Sequence, residues 1–368
     1  MAQLLPSSLS PWRFSRFDRV VAITAVFALA LVGLMIWQAG TEEDTAGILY
    51  LSWGEDFLNQ IYLISDDDTP RSLSDEAADV LNFAVSPDGS TIVYALRRED
   101  GRSDLWSMAT NGRSRRLLLA CDDAACSQPR WSPDSQRIVY ERRTVLEPNS
   151  PPGSPRLWWL DVSSSETVPV FSDTQWLGWG AAFSPNGRWL SYLSPVNQEI
   201  QAYNLETGNT VHIPSRSGEP AVWSPQSDTI LVTDIQLSDD KFAVHIFAVD
   251  LDDNETINLS GEEADVNDSL PTWSPDGNLI AFSRKTPRVA EGKQVWIMAP
   301  DGSEAINLTQ NPDVHFGTPS WSPDSNYLTF QGYKLSEPGA EPTIWRYDIA
   351  EQQLAELASP GIQPIWIP

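Results

Sequence analysis

The hydrophobic residues of this chain of 368 residues fall into two patterns. One apolar stretch, Val20 to Trp37, runs for 18 positions without a charge, which is long enough to cross the hydrocarbon core of a membrane as a slightly short helix. Beyond residue 45, apolar residues form short runs rich in β-branched and aromatic side chains, separated by turn-forming residues. The first pattern predicts a transmembrane helix, and the second predicts an all-β domain.

The charges around the apolar stretch predict its orientation. Three arginines precede it and three acidic residues follow it: Arg13, Arg16, Arg19, Glu42, Glu43 and Asp44. By the positive-inside rule, residues 1–19 form a short cytoplasmic tail, 20–38 a transmembrane helix, 39–45 a linker, and 46–368 an extracytoplasmic domain. A cleaved signal peptide is the alternative, but Trp37 and Gln38 disrupt the small-residue cleavage pattern. We therefore predict a single-pass protein of the cell membrane with an uncleaved signal-anchor.

A repeated turn organises the β-rich part of the chain. Six copies of an aromatic or aliphatic residue followed by Ser-Pro-Asp-Gly, or a close variant, place their serines at positions 86, 132, 184, 224, 274 and 322. The seventh residue after each proline closes a β-rich run: Tyr94, Tyr140, Tyr192, Val232, Phe282 and Phe330. A constant interval across a turn is what a β-hairpin requires, because a slip of one residue would turn every side chain to the other face.

The length of the repeat predicts the architecture. The serines are 46, 52, 40, 50 and 48 residues apart, and two further β-rich runs follow each hairpin, so that each repeat makes a four-stranded propeller blade. The last residues, 363–368, look like an innermost strand, and runs at 47–50, 60–64 and 71–73 look like the three strands that complete its blade. The expected fold is therefore a seven-bladed propeller closed by both chain ends, with six blades as the alternative.

One copy of the repeat carries a family resemblance. Trp273-Ser274-Pro275-Asp276-Gly277, followed by Ile280-Ala281-Phe282, resembles the hallmark of the TolB-type, WD-repeat-like β-propeller family. The resemblance covers about residues 46–368 and concerns the propeller portion of TolB only, because no α/β domain fits between the apolar stretch and the first strand. It implies the fold but indicates little about function, since such propellers serve many roles.

Charge and cysteine content narrow the choice of partners. The 50 acidic and 24 basic residues give a net charge of -26, so the surface should repel phosphate backbones and nucleic acid is not an expected partner. The two cysteines, Cys121 and Cys126, are separated by four residues, which fits neither a zinc knuckle nor a CxxC redox motif. A local disulfide in an oxidising compartment is the expected arrangement.

Loop lengths predict where binding residues lie. In a four-stranded meander, the short Ser-Pro turns lie at one end of the blades, and the variable second-to-third and blade-to-blade loops lie at the other. Arg97, Arg142 and Arg284 follow the second strands and form a hypothetical ring of donors for anionic groups, although pairing with nearby acids is an alternative. Trp176, Trp179 and Tyr333 form a hypothetical aromatic contact patch, or else pack between blades. These six residues constitute the predicted binding face.

The predicted function follows mainly from what the chain lacks. No Gly-x-Ser-x-Gly motif occurs, and the three histidines, at 212, 245 and 315, do not form pairs of ligand spacing. We therefore predict no catalytic residues, metal or cofactor, and a scaffold that binds a protein or another ligand at the outer face of the membrane. The alternative is an extracytoplasmic hydrolase or lyase that acts on peptide or carbohydrate through carboxylates on the propeller face.

Overall fold

A computed structural model describes residues 47–65, 68–173, 176–238, 241–253, 255–261, 265–287 and 289–368. Within these ranges the regular elements are β-strands. The described residues contain no helix that is long and apolar enough to span a membrane. The predicted tail (1–19), transmembrane helix (20–38) and linker (39–45) lie outside the described residues. The prediction of an all-β domain is confirmed.

The strands of the described residues form antiparallel units of four, which we number along the chain. Unit 1 comprises β4 (Val80–Val85), β5 (Thr91–Arg97), β6 (Ser103–Ala109) and β7 (Arg116–Leu119). Unit 2 comprises β8 (Ala124–Trp131), β9 (Arg137–Thr144), β10 (Arg156–Asp161) and β11 (Thr167–Pro169). Unit 3 comprises β12 (Trp179–Phe183), β13 (Trp189–Ser194), β14 (Glu199–Asn204) and β15 (Thr210–Pro214).

The later units repeat this order. Unit 4 comprises β16 (Val222–Trp223), β17 (Thr229–Ser238), β18 (Lys241–Asp250) and β19 (Thr256–Asn258). Unit 5 comprises β20 (Asn267–Trp273), β21 (Ile280–Lys285), β22 (Gln294–Met298) and β23 (Ile306–Asn307). Unit 6 comprises β24 (Val314–Trp321), β25 (Tyr327–Lys334), β26 (Thr343–Asp348) and β27 (Gln353–Ala358). Each unit begins with the strand that leads into a Ser-Pro turn.

The two ends of the described chain share the remaining unit. Its strands are β28 (Ile362–Trp366), β1 (Ile48–Trp53), β2 (Asn59–Ile64) and β3 (Pro70–Ser72), paired in that order. Trp366 lies opposite Ile48 in the ladder, and Ile367 N–H donates to Gly47 O at 2.9 Å. This pairing is the one expected from residues 363–368 and 47–50, and it covers the sheet edge that each end would otherwise expose.

Neighbouring units pack through the repeated residues. The residue seven positions after each repeated proline is buried in its second strand, with 0% exposure for Tyr94 and Phe282. The indole N–H of three repeated tryptophans donates to the preceding unit, from Trp131 to Ala84 O at 3.4 Å, from Trp223 to Ala182 O at 3.2 Å and from Trp321 to Thr272 O at 3.3 Å. The indole nitrogen of Trp273 has no hydrogen-bond partner among the described residues. These tryptophans therefore belong to the core between units, as their constant strand position predicts.

A β-bulge in the first strand of several units is a feature that the repeat did not predict. At the bulges, Gln128, Leu270, Thr318 and Gln363 have positive φ values of 52° to 54°, and a proline follows each of them. At three of these positions the freed N–H bonds to a side chain of the preceding unit or connection: Gln128 to Asn82 Oδ1 at 2.7 Å, Leu270 to Glu219 Oε2 at 2.9 Å and Gln363 to Gln331 Oε1 at 3.0 Å. Polar side chains thereby join successive units at their first strands.

Candidate functional site

The Ser-Pro turns form a short-turn face whose polar groups bond to one another. In the copy at 274–279, Ser274 Oγ donates to Asp276 Oδ1 at 2.6 Å and accepts the Leu279 N–H at 2.9 Å. The hydroxyl of Ser274 holds the pKa of Asp276 below its usual range, with further hydrogen bonds acting in the same direction against burial. Comparable pairs recur at Ser86, Ser132 and Ser322, so this face has little unsatisfied chemistry to offer a ligand.

The opposite face, which we call the variable-loop face, consists of the second-to-third loops and the connections between units. Several of its loops expose large apolar side chains, each from a different unit: Phe57 (77% exposed), Leu146 (86%), Val196 (72%) and Leu237 (69%). Such side chains sit at hairpin ends, where nothing in their own unit covers them. Large apolar side chains that are exposed on the loops of several units are typical of a surface that binds a partner.

The three predicted arginines are each engaged by a carboxylate. Arg97 Nη2 lies 3.3 Å from Asp79 Oδ2 and is 57% exposed. Arg142 pairs with Asp123, and its guanidinium carbon lies 4.9 Å from the centre of the Trp158 ring. All three arginines thus follow the alternative, which is pairing with nearby acids. Arg97 pairs with Asp79 and not with Glu99 or Asp100, the acids that follow it in the sequence.

Arg284 is the least exposed of the three, with 13% of its side chain accessible. Its guanidinium makes two hydrogen bonds to Asp268, from Nε at 2.7 Å and from Nη2 at 2.6 Å, and the Asp268 side chain is fully buried. The guanidinium carbon also lies 5.0 Å from the ring centres of Phe282 and Trp296. Arg284 therefore stabilises unit 5 internally, because its hydrogen-bond donors are directed at Asp268 and not at a partner.

Two of the predicted residues do meet in one cleft. Arg142 and Trp176 line a cavity of about 210 Å³ between β9, β10 and the connection from unit 2 to unit 3, together with Trp158 and Phe171. Trp176 is 43% exposed and packs against Phe171 with the ring centres 5.1 Å apart and the planes tilted by 41°. Phe171 in turn packs against the core of units 2 and 3. The cleft combines a cation with exposed aromatic surface, which suits a peptide or another ligand with an anionic and an apolar part.

The other two aromatic residues lie elsewhere. Trp179 starts β12 and packs, partly buried, against the core between units 3 and 4, so the packing alternative describes it. Tyr333 lies in β25, opposite His315, and is 36% exposed. Burial raises the pKa of the Tyr333 hydroxyl. The predicted aromatic patch is thus three separate positions, of which Trp176 alone belongs to the cleft.

The cysteines lie beside this cleft. Cys121 and Cys126 are bonded to each other at the connection into β8, and Ser103 Oγ donates to Cys126 O at 2.7 Å. The loop that they close carries Asp122, which is 91% exposed, and Asp123, the partner of Arg142. The disulfide therefore constrains the loop whose Asp123 carboxylate pairs with Arg142.

The histidines make hydrogen bonds to different partners and do not contact one another. His212 Nδ1 lies 2.9 Å from Glu199 Oε1, and His245 Nδ1 lies 3.0 Å from Asn258 Nδ2. Across the described ranges, no group of three or more histidine, cysteine, aspartate and glutamate side chains has the geometry to hold a metal ion.

A group of basic residues on the variable-loop face was not identified in the sequence analysis. The chain contains only four lysines, and Lys285, Lys293 and Lys334 lie on neighbouring strand ends of units 5 and 6. Lys285 and Lys293 flank one loop, whereas Lys334 is 41 positions further along the chain and opposite Val314 in the ladder. The scarcity of lysine was the signal in the sequence that could have drawn attention to them.

Comparisons with known proteins show the fold. No family model matches the chain. An uncharacterized protein of Agrobacterium fabrum is 23% identical over 245 residues, with 61% of this chain and 77% of that protein covered. TolB from Acinetobacter baumannii superposes with a TM-score of 0.53 at 19% identity, over 90% of this chain and 84% of that one.

Enzymes are among the structural neighbours as well. A Mycobacterium tuberculosis puromycin-hydrolyzing peptidase gives a TM-score of 0.63 at 13% identity, over 87% of this chain but 54% of that one. An oligogalacturonate lyase in complex with manganese gives 0.51 at 14% identity, over 76% and 73%. At such identities the likeness concerns architecture and not chemistry. The described residues have a TolB-like β-propeller fold.

Proposed function

We propose that this chain is a membrane-anchored, extracytoplasmic β-propeller that acts as a binding scaffold and engages a protein partner through its variable-loop face. The observation that carries the proposal is the distribution of exposed apolar side chains between the two faces. The predicted helix at 20–38, with arginines before it and acidic residues after it, supports the anchor and the placement of the propeller outside the membrane.

We infer seven blades closed into a ring. The support is that six units of four antiparallel strands follow one another and that β28 and β1 complete a further unit from both chain ends. Two pairs of units are also linked within one sheet, by single parallel residue pairs at Ser103–Ala125 and Val244–Asn267. A closed ring supplies a rigid base from which loops of differing length can project.

The apolar side chains favour a macromolecular partner. Phe57, Leu146, Val196 and Leu237 are each more than two-thirds exposed and come from four different units. Burying such side chains against a partner removes apolar surface from water at about 25 cal/mol per Å². The Ser-Pro turns of the described residues contribute no large apolar side chain of comparable exposure. A surface that spreads its apolar anchors over several units suits a protein better than a small ligand.

The cleft of Arg142 and Trp176 supplies a specific contact within this face. Tryptophan and arginine are both enriched among the residues that contribute most binding energy in protein interfaces. Because Asp123 occupies Arg142 in the free chain, a carboxylate of the partner would have to displace it. The cleft therefore favours a partner that presents both an acidic and an apolar residue.

The buried carboxylates favour a scaffold over an enzyme. Glu141, Asp234 and Asp268 are among the least exposed acids, and each pairs with an arginine: Arg143, Arg216 and Arg284 respectively. Glu141 also accepts the Gly180 N–H at 3.0 Å. Carboxylates that are held in this way serve to join strands and units, which favours a structural role for these three residues over a catalytic one.

Matched triple variants of the full-length chain test the proposal. The loop variant replaces Phe57, Leu146 and Val196 by Ser, and the strand control replaces Leu117, Val168 and Ile306, which are 45%, 56% and 54% exposed on outermost strands, by Ser. Each protein is immobilised and exposed to a detergent-solubilised envelope extract. We expect a partner that the wild type and the strand control retain and the loop variant loses.

Two outcomes would contradict the proposal. Equal retention by all three proteins would remove the variable-loop face from the interface. Retention of no protein by the wild type, with a saturable response to peptides or oligosaccharides, would favour the enzymatic alternative.

A further inference from the structure

Two lysines of unit 5, Lys285 and Lys293, flank one loop of the variable-loop face. Arg97, Arg142 and Arg284 on the same face each pair with a carboxylate. By contrast, no carboxylate oxygen of the described residues lies within 4.0 Å of the amino group of Lys285 or Lys293. In a chain with a net charge of -26, two neighbouring ammonium groups without an acidic partner are conspicuous.

Both lysines lie on one face of unit 5. Lys285 is opposite Asn267 in the ladder, and Ser283 is opposite Ser269, so these four side chains share a face because residues two apart point the same way. Lys293 directly precedes β22, and its Nζ donates to Ser269 Oγ at 2.7 Å. The two ammonium groups are thus placed on a surface that is otherwise lined by hydroxyl and amide groups.

This face is turned toward unit 6. Further along the same strands, Ala281 and Val295 pack against Val314 and Phe316 of β24. The backbone around Lys293 is joined to the same strand, since Phe316 N–H donates to Lys293 O at 2.9 Å. The polar residues therefore lie between two units, at the end of the interface that opens on the variable-loop face.

His315 adds a further donor from unit 6. Its Nδ1 accepts the N–H of Lys293 at 3.5 Å, which places the ring proton of the neutral imidazole on Nε2. Burial lowers the pKa of His315, and the charges of Lys293 and Lys285 lower it further. Both ammonium groups are thus close enough to act on the ring, and the imidazole stays a neutral N–H donor at neutral pH.

Hydrogen-bonding capacity is left over at this place. Lys285 Nζ uses two of its three protons on Val289 O and Glu291 O, and Lys293 Nζ uses one on Ser269 Oγ. Ser283 is fully buried, and its hydroxyl has no hydrogen-bond partner among the residues that the structure describes. Buried polar atoms without partners are rare and call for an explanation such as a bound ligand.

We propose that Lys285, Lys293 and Ser269 of unit 5, with His315 of unit 6, form a binding site for an oxyanion, namely a carboxylate or a phosphate group. The ammonium groups supply the charge, and His315 supplies its Nε2–H. Ser269 Oγ, which donates to Ser283 O at 3.4 Å, positions the Lys293 ammonium group by accepting from it. This site goes beyond the proposed protein interface and does not depend on it.

Anion titration of the full-length chain tests the site. Sodium phosphate and sodium succinate are titrated separately by calorimetry at neutral pH, against sodium chloride of equal ionic strength. The test variants are Lys293→Gln and Lys285→Gln. The control is Arg188→Gln, which removes the same charge from an exposed pair with Glu206 on the short-turn side.

We expect one oxyanion per chain to bind the wild type and the Arg188 control with affinities within about twofold, and each lysine variant to bind at least about tenfold more weakly. A stronger response to phosphate would identify a phosphate ligand, and a stronger response to succinate a carboxylate ligand. Equal binding by Lys293→Gln and wild type, or no binding beyond that of chloride, would overturn the proposal. If Lys293→Gln does not fold, Lys285→Gln decides, because the Lys285 amino group bonds only to backbone carbonyls.

Discussion

The two faces of the propeller lie at opposite ends of the same strands but differ in their side chains. On the short-turn face, a serine and an acidic side chain close one hydrogen-bonded turn after another, as at Ser86, Ser132 and Ser274. On the variable-loop face the units differ: unit 2 carries the disulfide and the cleft, and unit 5 carries the largely buried Arg284 together with Lys285 and Lys293. A scaffold can repeat itself, whereas a recognition surface has to differ from unit to unit.

This difference has an energetic consequence. Turns that repeat several times each contribute a modest and similar amount to stability, so the loss of one is tolerated. A pair that occurs once, such as Arg284 with Asp268, has no substitute elsewhere in its unit. Substitutions at the variable-loop end should therefore range from very costly to neutral, and those in the Ser-Pro turns should be uniform.

The largest effect is expected for Arg284→Ala. The substitution leaves the fully buried Asp268 without its counter-charge, which should lower the free energy of unfolding by about 3–5 kcal/mol. Urea denaturation measures this, with Arg188→Ala, in an exposed pair with Glu206, as a control that should cost less than about 1 kcal/mol. Equal losses in the two variants would show that Asp268 is not buried as described.

A smaller loss is expected for Ser274→Ala on the short-turn face. The change removes a buried hydroxyl that donates to Asp276 and accepts from the Leu279 N–H, at a cost of about 1–2 kcal/mol. Ser303→Ala, in an exposed turn with Asp301, serves as the matched control and should change stability by less than about 0.5 kcal/mol. Thermal unfolding of the two variants should separate them clearly, and the same shift in both would argue against the turn as a structural element.

A gain in stability is expected where serine replaces the usual glycine of the turn. Ser135 has a φ of 57°, which a side chain disfavours, so Ser135→Gly should stabilise the fold by about 0.5 kcal/mol. Ser227 has a φ of 67°, but its hydroxyl accepts the Asn186 N–H at 3.0 Å, so Ser227→Gly should gain nothing. Denaturant midpoints of both variants provide the comparison, and a gain at both positions would mean that the Ser227 hydrogen bond contributes no stability.

The most gradual effect concerns pH. The pKa of His315 is held below its ordinary value of 6.5 by burial, Lys293 and Lys285. The unfolded chain therefore takes up a proton that the folded chain resists, and stability due to this group is lost as the pH falls through 6.5. His315→Asn should flatten the decline in stability between about pH 7.5 and pH 5.5. Parallel pH profiles for variant and wild type would contradict this assignment.

Much of the fold was predictable because the repeat states it directly. The interval from each Ser-Pro turn to residues such as Tyr94 and Phe282 defines a hairpin, and the complementary ends at 47–50 and 363–368 predicted the pairing of β1 with β28. The bulges were not predicted, although a proline marks four of them, because their N–H groups bond to side chains of another unit, such as Glu219. Contacts between units depend on three-dimensional placement that a repeat does not contain.

The site was less predictable than the fold. Their equivalent positions after the second strands suggested that Arg97, Arg142 and Arg284 are alike, yet the Arg284 side chain is 13% exposed and that of Arg97 is 57% exposed. Trp176 and Trp179 are three positions apart, but one lines the cleft and the other packs in the core. Their roles depend on which side of a strand end they occupy, and residue type alone does not determine that.

The central claim is that recognition belongs to the variable-loop face and scaffolding to the rest of the propeller. Photo-crosslinking in the cells that make the protein tests it directly, with a benzophenone amino acid placed singly at Phe57, Leu146 or Val196 and, for comparison, at Leu117, Val168 or Ile306. We predict a protein adduct of the same size from the first three positions and none from the other three. Adducts that form equally at both sets, or only at the outermost strands, would contradict the claim.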